Sequence, residues 1–167
     1  TPRITAAELH AMIADDTDMV VLDSRPLPEF RNMSIPTGID CPGAELVHRV
    51  KELVTDPETL VVVNCAGRTR SIIGSQSLIN AGLENRVVAL ENGTMGWELA
   101  GFDVARGHEV HAPDPGPVGE EWAMSAVADV AERFGVRRIT VKELERWRAD
   151  VTRTTYVFDV RTPPEFE

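Results

Sequence analysis

Three short aliphatic runs restrict this chain most: Met19-Val20-Val21-Leu22, Leu60-Val61-Val62-Val63 and Val87-Val88-Ala89-Leu90. None alternates with polar residues, so each one, as a strand, would be buried on both faces. Such strands belong to parallel sheets sandwiched between helices. The segments between them read as helices. Thr5–Ala14 opens with Thr5 and places Glu8 three residues later, a capping-box signature. Ala44–Val54 carries Leu46, Val47, Val50, Leu53 and Val54 near the spacing of one helical face. Ser71–Asn80 runs into Ala81-Gly82, a glycine-type stop. Strands alternating with helices predict an α/β fold with a central parallel sheet and helices on both faces.

Residues 1–107 suffice for one such domain, and the rest needs a separate account. Residues 108–135 read as a linker rich in proline and glycine, followed by a helix. That linker closes the first unit around His108, His111, Pro113, Pro115, Gly116 and Pro117. The helix, Glu120–Phe134, is stopped by Gly135. Its Trp122, Met124, Val127, Val130, Ala131 and Phe134 are expected to pack on a neighbouring unit. Residues 136–167 contain an internal repeat. Ile4-Thr5, Glu8-Leu9 and Ala14-Asp15 recur as Ile139-Thr140, Glu143-Leu144 and Ala149-Asp150. After a slip of one residue, Val21, Asp23, Arg25, Pro28, Glu29 and Phe30 recur as Val157, Asp159, Arg161, Pro164, Glu165 and Phe166. The copy breaks off at Glu167, the counterpart of Arg31. It reads as a truncated second unit, with Tyr156-Val157-Phe158 as a strand. A fragment of this size cannot close a core, so it is expected to borrow a surface from the first unit or from a second chain, as in a homodimer.

The chemistry concentrates where Leu60–Asn64 empties into Cys65-Ala66-Gly67-Arg68-Thr69-Arg70-Ser71 and then into a helix. A strand that ends in a glycine-containing loop at a helix start lines up backbone N–H groups on an anion, with the helix dipole adding positive charge. A cysteine at the head of that loop would have its thiolate stabilised by those donors and by Arg68 and Arg70. Thr69 and Ser71 offer hydroxyl donors, with helix capping the main role expected for Ser71. The net charge of −10 makes these arginines a local exception. The same balance excludes a phosphate-tracking nucleic-acid protein and docking on anionic lipid. No apolar run approaches the ~20 residues of a membrane span, and no signal-like segment opens the chain. With two cysteines there is no disulfide framework, and a cytoplasmic protein is expected.

At these residues the chain resembles the rhodanese family of sulfurtransferases. The six-residue active loop of that family, headed by its catalytic cysteine, matches Cys65–Arg70. Its opening helix and Asp-x-Arg strand end match Thr5–Arg25, and its Glu-Phe segment matches Glu29-Phe30. Its closing strand, Gly, Trp and Gly match Val87–Leu90, Gly93, Trp97 and Gly101. Two departures stand out. The family's Gly-His-Ile-Pro-Gly-Ala stretch is loose here, as Met33-Ser34-Ile35-Pro36-Thr37-Gly38, and Asn92 sits where a first glycine is usual. The resemblance implies a rhodanese-like fold and sulfur transfer through a Cys65 persulfide, from thiosulfate to cyanide or a thiol. Ala66, Gly67, Arg68, Thr69, Arg70 and Ser71 would bind the substrate. Loops that take mercaptopyruvate tend to be neutral, so two arginines favour thiosulfate, a small anionic donor. Asp23 and Arg25 read as a supporting ion pair. Many rhodanese units have lost the cysteine, so the alternative is a persulfide carrier or a regulatory interaction module without enzymatic activity.

Other residues draw less weight. Phosphatase loops place an arginine six positions after the cysteine and usually a histidine before it. Here Ser71 and Asn64 stand at those positions, which argues against phosphatase chemistry. Cys41 reads as a packed thiol and Trp97 as core. His10, His48, His108 and His111 have no metal-ligand spacing, so neither a metal nor a cofactor is expected.

Overall fold

A computed structural model of the chain describes residues 1–161 and residue 166. The three aliphatic runs form strands β2 (Met19–Asp23), β4 (Leu60–Asn64) and β5 (Val87–Leu90). Two short strands, β1 (Arg3–Ile4) and β3 (Gly38–Asp40), complete a five-stranded sheet in the order β1-β5-β4-β2-β3. Every pairing is parallel, and Met19–Asp23 lies in register with Leu60–Asn64. Alternate residues of β4 feed two cores. Val61 and Val63 pack with Leu22, Leu46, Val50, Val54 and Leu78 on one face. Leu60 and Val62 pack with Ile4, Leu9, Val21, Val88 and Trp97 on the other. The absence of alternation in the sequence thus has its cause in helices on both faces.

Helix α1 (Ala6–Ala14) carries the complete capping box: Thr5 accepts from the Glu8 N–H, and the Glu8 carboxylate accepts from the Thr5 N–H. Helix α2 (Leu27–Asn32) follows β2 and buries Phe30. The helix expected over Ala44–Val54 is shorter: α3 (Leu46–Arg49) passes into a 3-10 turn at Val50–Glu52. Leu46, Val50 and Val54 still bury along one line. Helix α4 (Thr69–Asn80) starts two residues earlier than expected and stops at Gly82, whose φ of 79° closes it. Helix α5 (Gly93–Leu99) buries Trp97, whose Nε1 donates to the Asp103 carbonyl.

The expected exposed linker is a strap instead. Asp40 N–H donates to the Val110 carbonyl and Ala112 N–H to the Asp40 carbonyl, so residues 110–112 extend the sheet beside β3. Ala112 is buried, and Arg49 Nη1 holds the carbonyls of Ala112 and Pro113 and the carboxylate of Asp114. His108, expected to be solvated, is half-buried. Helix α6 (Pro117–Arg133) packs on α3 and the 3-10 turn through Ala123, Ala126 and half-buried Trp122. Met124, Val127 and Phe134, expected on the packed face, are exposed. Small residues let the two backbones approach, and that turns the larger ones outward.

Helix α7 (Val141–Ala149) repeats the α1 capping box with Thr140 and Glu143. Arg161 grips Asp159 by its backbone N–H and guanidinium just as Arg25 grips Asp23. The repeat in sequence is therefore a repeat in local geometry. The expected strand at Tyr156-Val157-Phe158 is not formed: these residues make no ladder pairing among the described residues, and Tyr156 and Phe158 are exposed. A strand needs a neighbour for its N–H and C=O groups, and the first unit does not supply one. The repeat positions Pro164 and Glu165, and Glu167, lie outside the described residues. Among the described residues no helix is long and apolar enough to cross a membrane.

Candidate active site

Cys65 is the first residue after β4, at the carboxyl end of the sheet where α/β folds place ligands. It is 1% exposed, and its Sγ lies 3.4 Å from the Ser71 hydroxyl. Residues 65–68 form the turn, and Thr69 and Arg70 begin α4. Among the described residues, no carbonyl or side chain accepts from the N–H groups of residues 66–71. Six consecutive donors are thus without an acceptor, a supply of N–H groups that an anion cradle requires.

The loop is anchored from outside by its carbonyls. Thr94 N–H donates to the Cys65 carbonyl and Met95 N–H to the Ala66 carbonyl, each at 2.9 Å. This brings the start of α5 against the loop so closely that Gly93 has room for no side chain. A Cβ there would lie 2.2 Å from the Cys65 oxygen, and φ is +55°. Asn92, the departure from the usual glycine, has φ of 56°, in the left-handed region that asparagine tolerates.

Beneath the loop runs a buried polar chain. Arg25 meets Asp23 in a two-pronged pair, Nε to Oδ1 at 2.8 Å and Nη2 to Oδ2 at 2.7 Å. Asn64 Nδ2 donates to Asp23 Oδ2 and to Thr94 Oγ1, both at 2.8 Å. Thr94 Oγ1 in turn donates to the Cys65 carbonyl at 3.3 Å. Asp23 and Arg25 therefore brace the loop through Asn64 and Thr94. The sequence reading gave neither Asn64 nor Thr94 a part in holding the loop, and named Gly93 only as a match to the family's closing pattern. For Asn64 a signal existed: a polar side chain ending a strand buried on both faces must find partners.

The loop side chains depart from expectation. Ser71 does not cap α4; it lies inside the first turn, where its hydroxyl donates to the Arg68 carbonyl at 3.0 Å. Arg70 is not an unpaired cation: it meets Glu29 through Nη1–Oε1 at 2.7 Å and Nη2–Oε2 at 2.8 Å. These hydrogen bonds hold the Glu29 carboxyl below its ordinary range and raise Arg70. Arg68 is exposed and lines a separate depression with Arg3, Ile72 and Glu91. Ala66 and Gly67 are half-buried, and Thr69 is exposed. Cys41 is packed in the core, and burial pushes its thiol up to about 12.

Among proteins of known family, the model of the rhodanese-like domain matches residues 5–100. The chain belongs to the rhodanese family. A thiosulfate sulfurtransferase from Pseudomonas aeruginosa, solved by crystallography, is 48% identical with a TM-score of 0.90; the match covers 100% of this chain and 32% of that one. A rhodanese-related protein from Thermoplasma volcanium is 30% identical with a TM-score of 0.53, over 63% of this chain and 98% of that one. An HTH-type transcriptional regulator of Mycobacterium tuberculosis is 32% identical over 107 residues, 64% of this chain and 46% of the regulator. The chain thus spans about a third of the sulfurtransferase and under half of the regulator.

Proposed function

We propose that the protein is a sulfurtransferase that carries sulfane sulfur on Cys65. The observation behind this reading is the position of Cys65, heading a loop whose N–H groups have no acceptor of their own. The Cys65 thiolate attacks the outer sulfur of thiosulfate; a new S–S bond forms as the old one breaks, and sulfite leaves with the bonding pair. The persulfide keeps its negative charge within the loop. Cyanide or a cellular thiol then attacks the outer sulfur and returns the Cys65 thiolate, giving two steps with ping-pong kinetics. Ser71 has a place in this cycle. Its hydroxyl proton goes to the Arg68 carbonyl while the thiol donates to its oxygen, and rotation would offer that proton to the sulfur once it ionises.

The similarity to a thiosulfate sulfurtransferase at 48% identity supports thiosulfate as donor. Both cysteines are free, which fits a reducing, cytoplasmic setting. Residues 136–167 are read as the opening of a second rhodanese unit, supported by the repeated capping box and Asp-Arg grip. The test is intact mass after thiosulfate treatment. A gain of one sulfur, lost in Cys65→Ser, is expected; a Cys65→Ser protein that still converts thiosulfate and cyanide to thiocyanate would overturn the assignment. The similarity to a transcriptional regulator favours a second reading, a persulfide-dependent regulatory module. That module would gain the sulfur but release no thiocyanate.

A further inference from the structure

We propose that Glu29 is a specificity-determining residue, a built-in competitor whose carboxylate offsets the attraction of the Arg70 guanidinium for an anionic sulfur donor. The proposal rests on the sulfurtransferase reading and adds a residue to it. Glu29 sits in the first turn of α2, and its neighbour Phe30 is fully buried, which fixes the backbone that presents it. Both carboxylate oxygens are spent on Arg70, so the pair is bidentate across the Nη1–Nη2 edge and sets a carboxylate charge directly against the guanidinium. Arg70 lies within electrostatic reach of Cys65 and Asp23, and Glu29 within reach of Arg25. Around a Cys65 thiolate the side-chain charges therefore run Glu29 and Asp23 against Arg70 and Arg25, and their formal sum is zero. The Arg68 side chain, exposed and without a hydrogen-bonded partner among the described residues, lines a different depression with Arg3 and Glu91.

Both members of the pair are 42% exposed. A solvated ion pair of this kind has little net stability and exchanges partners readily. A dianionic donor at the guanidinium either sets the Glu29 carboxylate loose or sits beside its negative charge, whereas a neutral donor leaves the pair intact at no cost. Glu29 thus tilts the site away from the anions that Arg70 attracts, and donor preference follows from the difference between the two.

The test uses two alkylating probes on the whole chain, iodoacetate and iodoacetamide. They form the same C–S bond with release of iodide but differ in charge. Peptide mass mapping assigns the product to Cys65 and separates it from Cys41. In Glu29→Gln the ratio of the iodoacetate to the iodoacetamide rate should rise about 3–10-fold, and the rise should shrink at high salt. Glu29→Asp keeps the charge and should stay near the wild-type ratio. A general loosening of the loop accelerates both reagents alike and cancels in the ratio. With thiosulfate as donor, Glu29→Gln should lower KM and leave kcat unreduced. An unchanged ratio in a folded Glu29→Gln protein overturns the proposal. Absence of sulfur transfer in the wild type instead overturns the sulfurtransferase reading, and the alkylation ratio still reports on Glu29.

Discussion

Gly93→Ala tests whether the start of α5 sets the position of Cys65. The added Cβ would lie 2.2 Å from the Cys65 carbonyl oxygen and 2.8 Å from both the Ala66 carbonyl carbon and the Gly67 nitrogen. All three are backbone atoms, so no side chain can rotate away. Alanine at a φ of +55° costs about 1 kcal/mol, and forcing an extra methyl into a packed site about 1–3 more. The bonds from Thr94 and Met95 to the loop, both 2.9 Å, must lengthen as α5 and the loop part by roughly an ångström. The expected loss of stability is about 2–4 kcal/mol, read as a lower midpoint in urea. A displacement of that size costs up to ~100-fold in rate when it moves a reacting atom. Persulfide formation, followed by mass, should therefore slow about 10–100-fold in protein that is still folded. Gly67→Ala is the control, because a Cβ there meets nothing within 4 Å; its stability should stay within ~0.5 kcal/mol of wild type. A Gly93→Ala protein with wild-type stability and rate would refute the idea that α5 clamps the loop.

Two further substitutions probe the carboxyl edge of the sheet. Asp40 is buried beneath the strap with Oδ1 unpartnered, and burial together with Asp23 and Glu45 pushes its carboxyl up to about 6. The unfolded chain ionises Asp40 near its ordinary value while the fold retains the proton, so stability falls as pH rises between about 4 and 6. Asp40→Asn should therefore stabilise the protein at pH 7 by up to about 3 kcal/mol, with the gain fading below about pH 4. Urea midpoints at both pH values check this, and an equal gain at both would refute it. Thr94→Val keeps shape but removes the acceptor for Asn64 and a donor to the Cys65 carbonyl, at about 1–3 kcal/mol. Thermal unfolding should show the loss, and an unchanged Tm would remove Thr94 from the buried chain.

Legibility followed the range of the forces involved. The aliphatic runs and the Thr5 capping box act within a few residues, so their elements appear in the structure where the sequence places them. Strands β1 and β3 are two and three residues long and exist only because longer neighbours offer them hydrogen bonds. The strap at 108–114 looked like an open linker because its proline and glycine content describes local stiffness. What docks it is Arg49, over sixty residues away. The strand at Tyr156–Phe158 fails for the complementary reason: its composition suits a sheet, but no partner edge reaches it among the described residues.

The sequence by itself determined the fold class and the place of Cys65 between a buried strand and a helix. Both follow from which residues stand next to one another: an aliphatic run buried on two sides, then Cys-Ala-Gly at a helix start. Only the tertiary structure decided how the cysteine is held and what the arginines do. Gly93 and Thr94 reach Cys65 across nearly thirty residues, and Glu29 reaches Arg70 across 41. Charges crowded in sequence looked like an open anion trap, yet charge is neutralised by whichever group lies near in space, and Glu29 is that group.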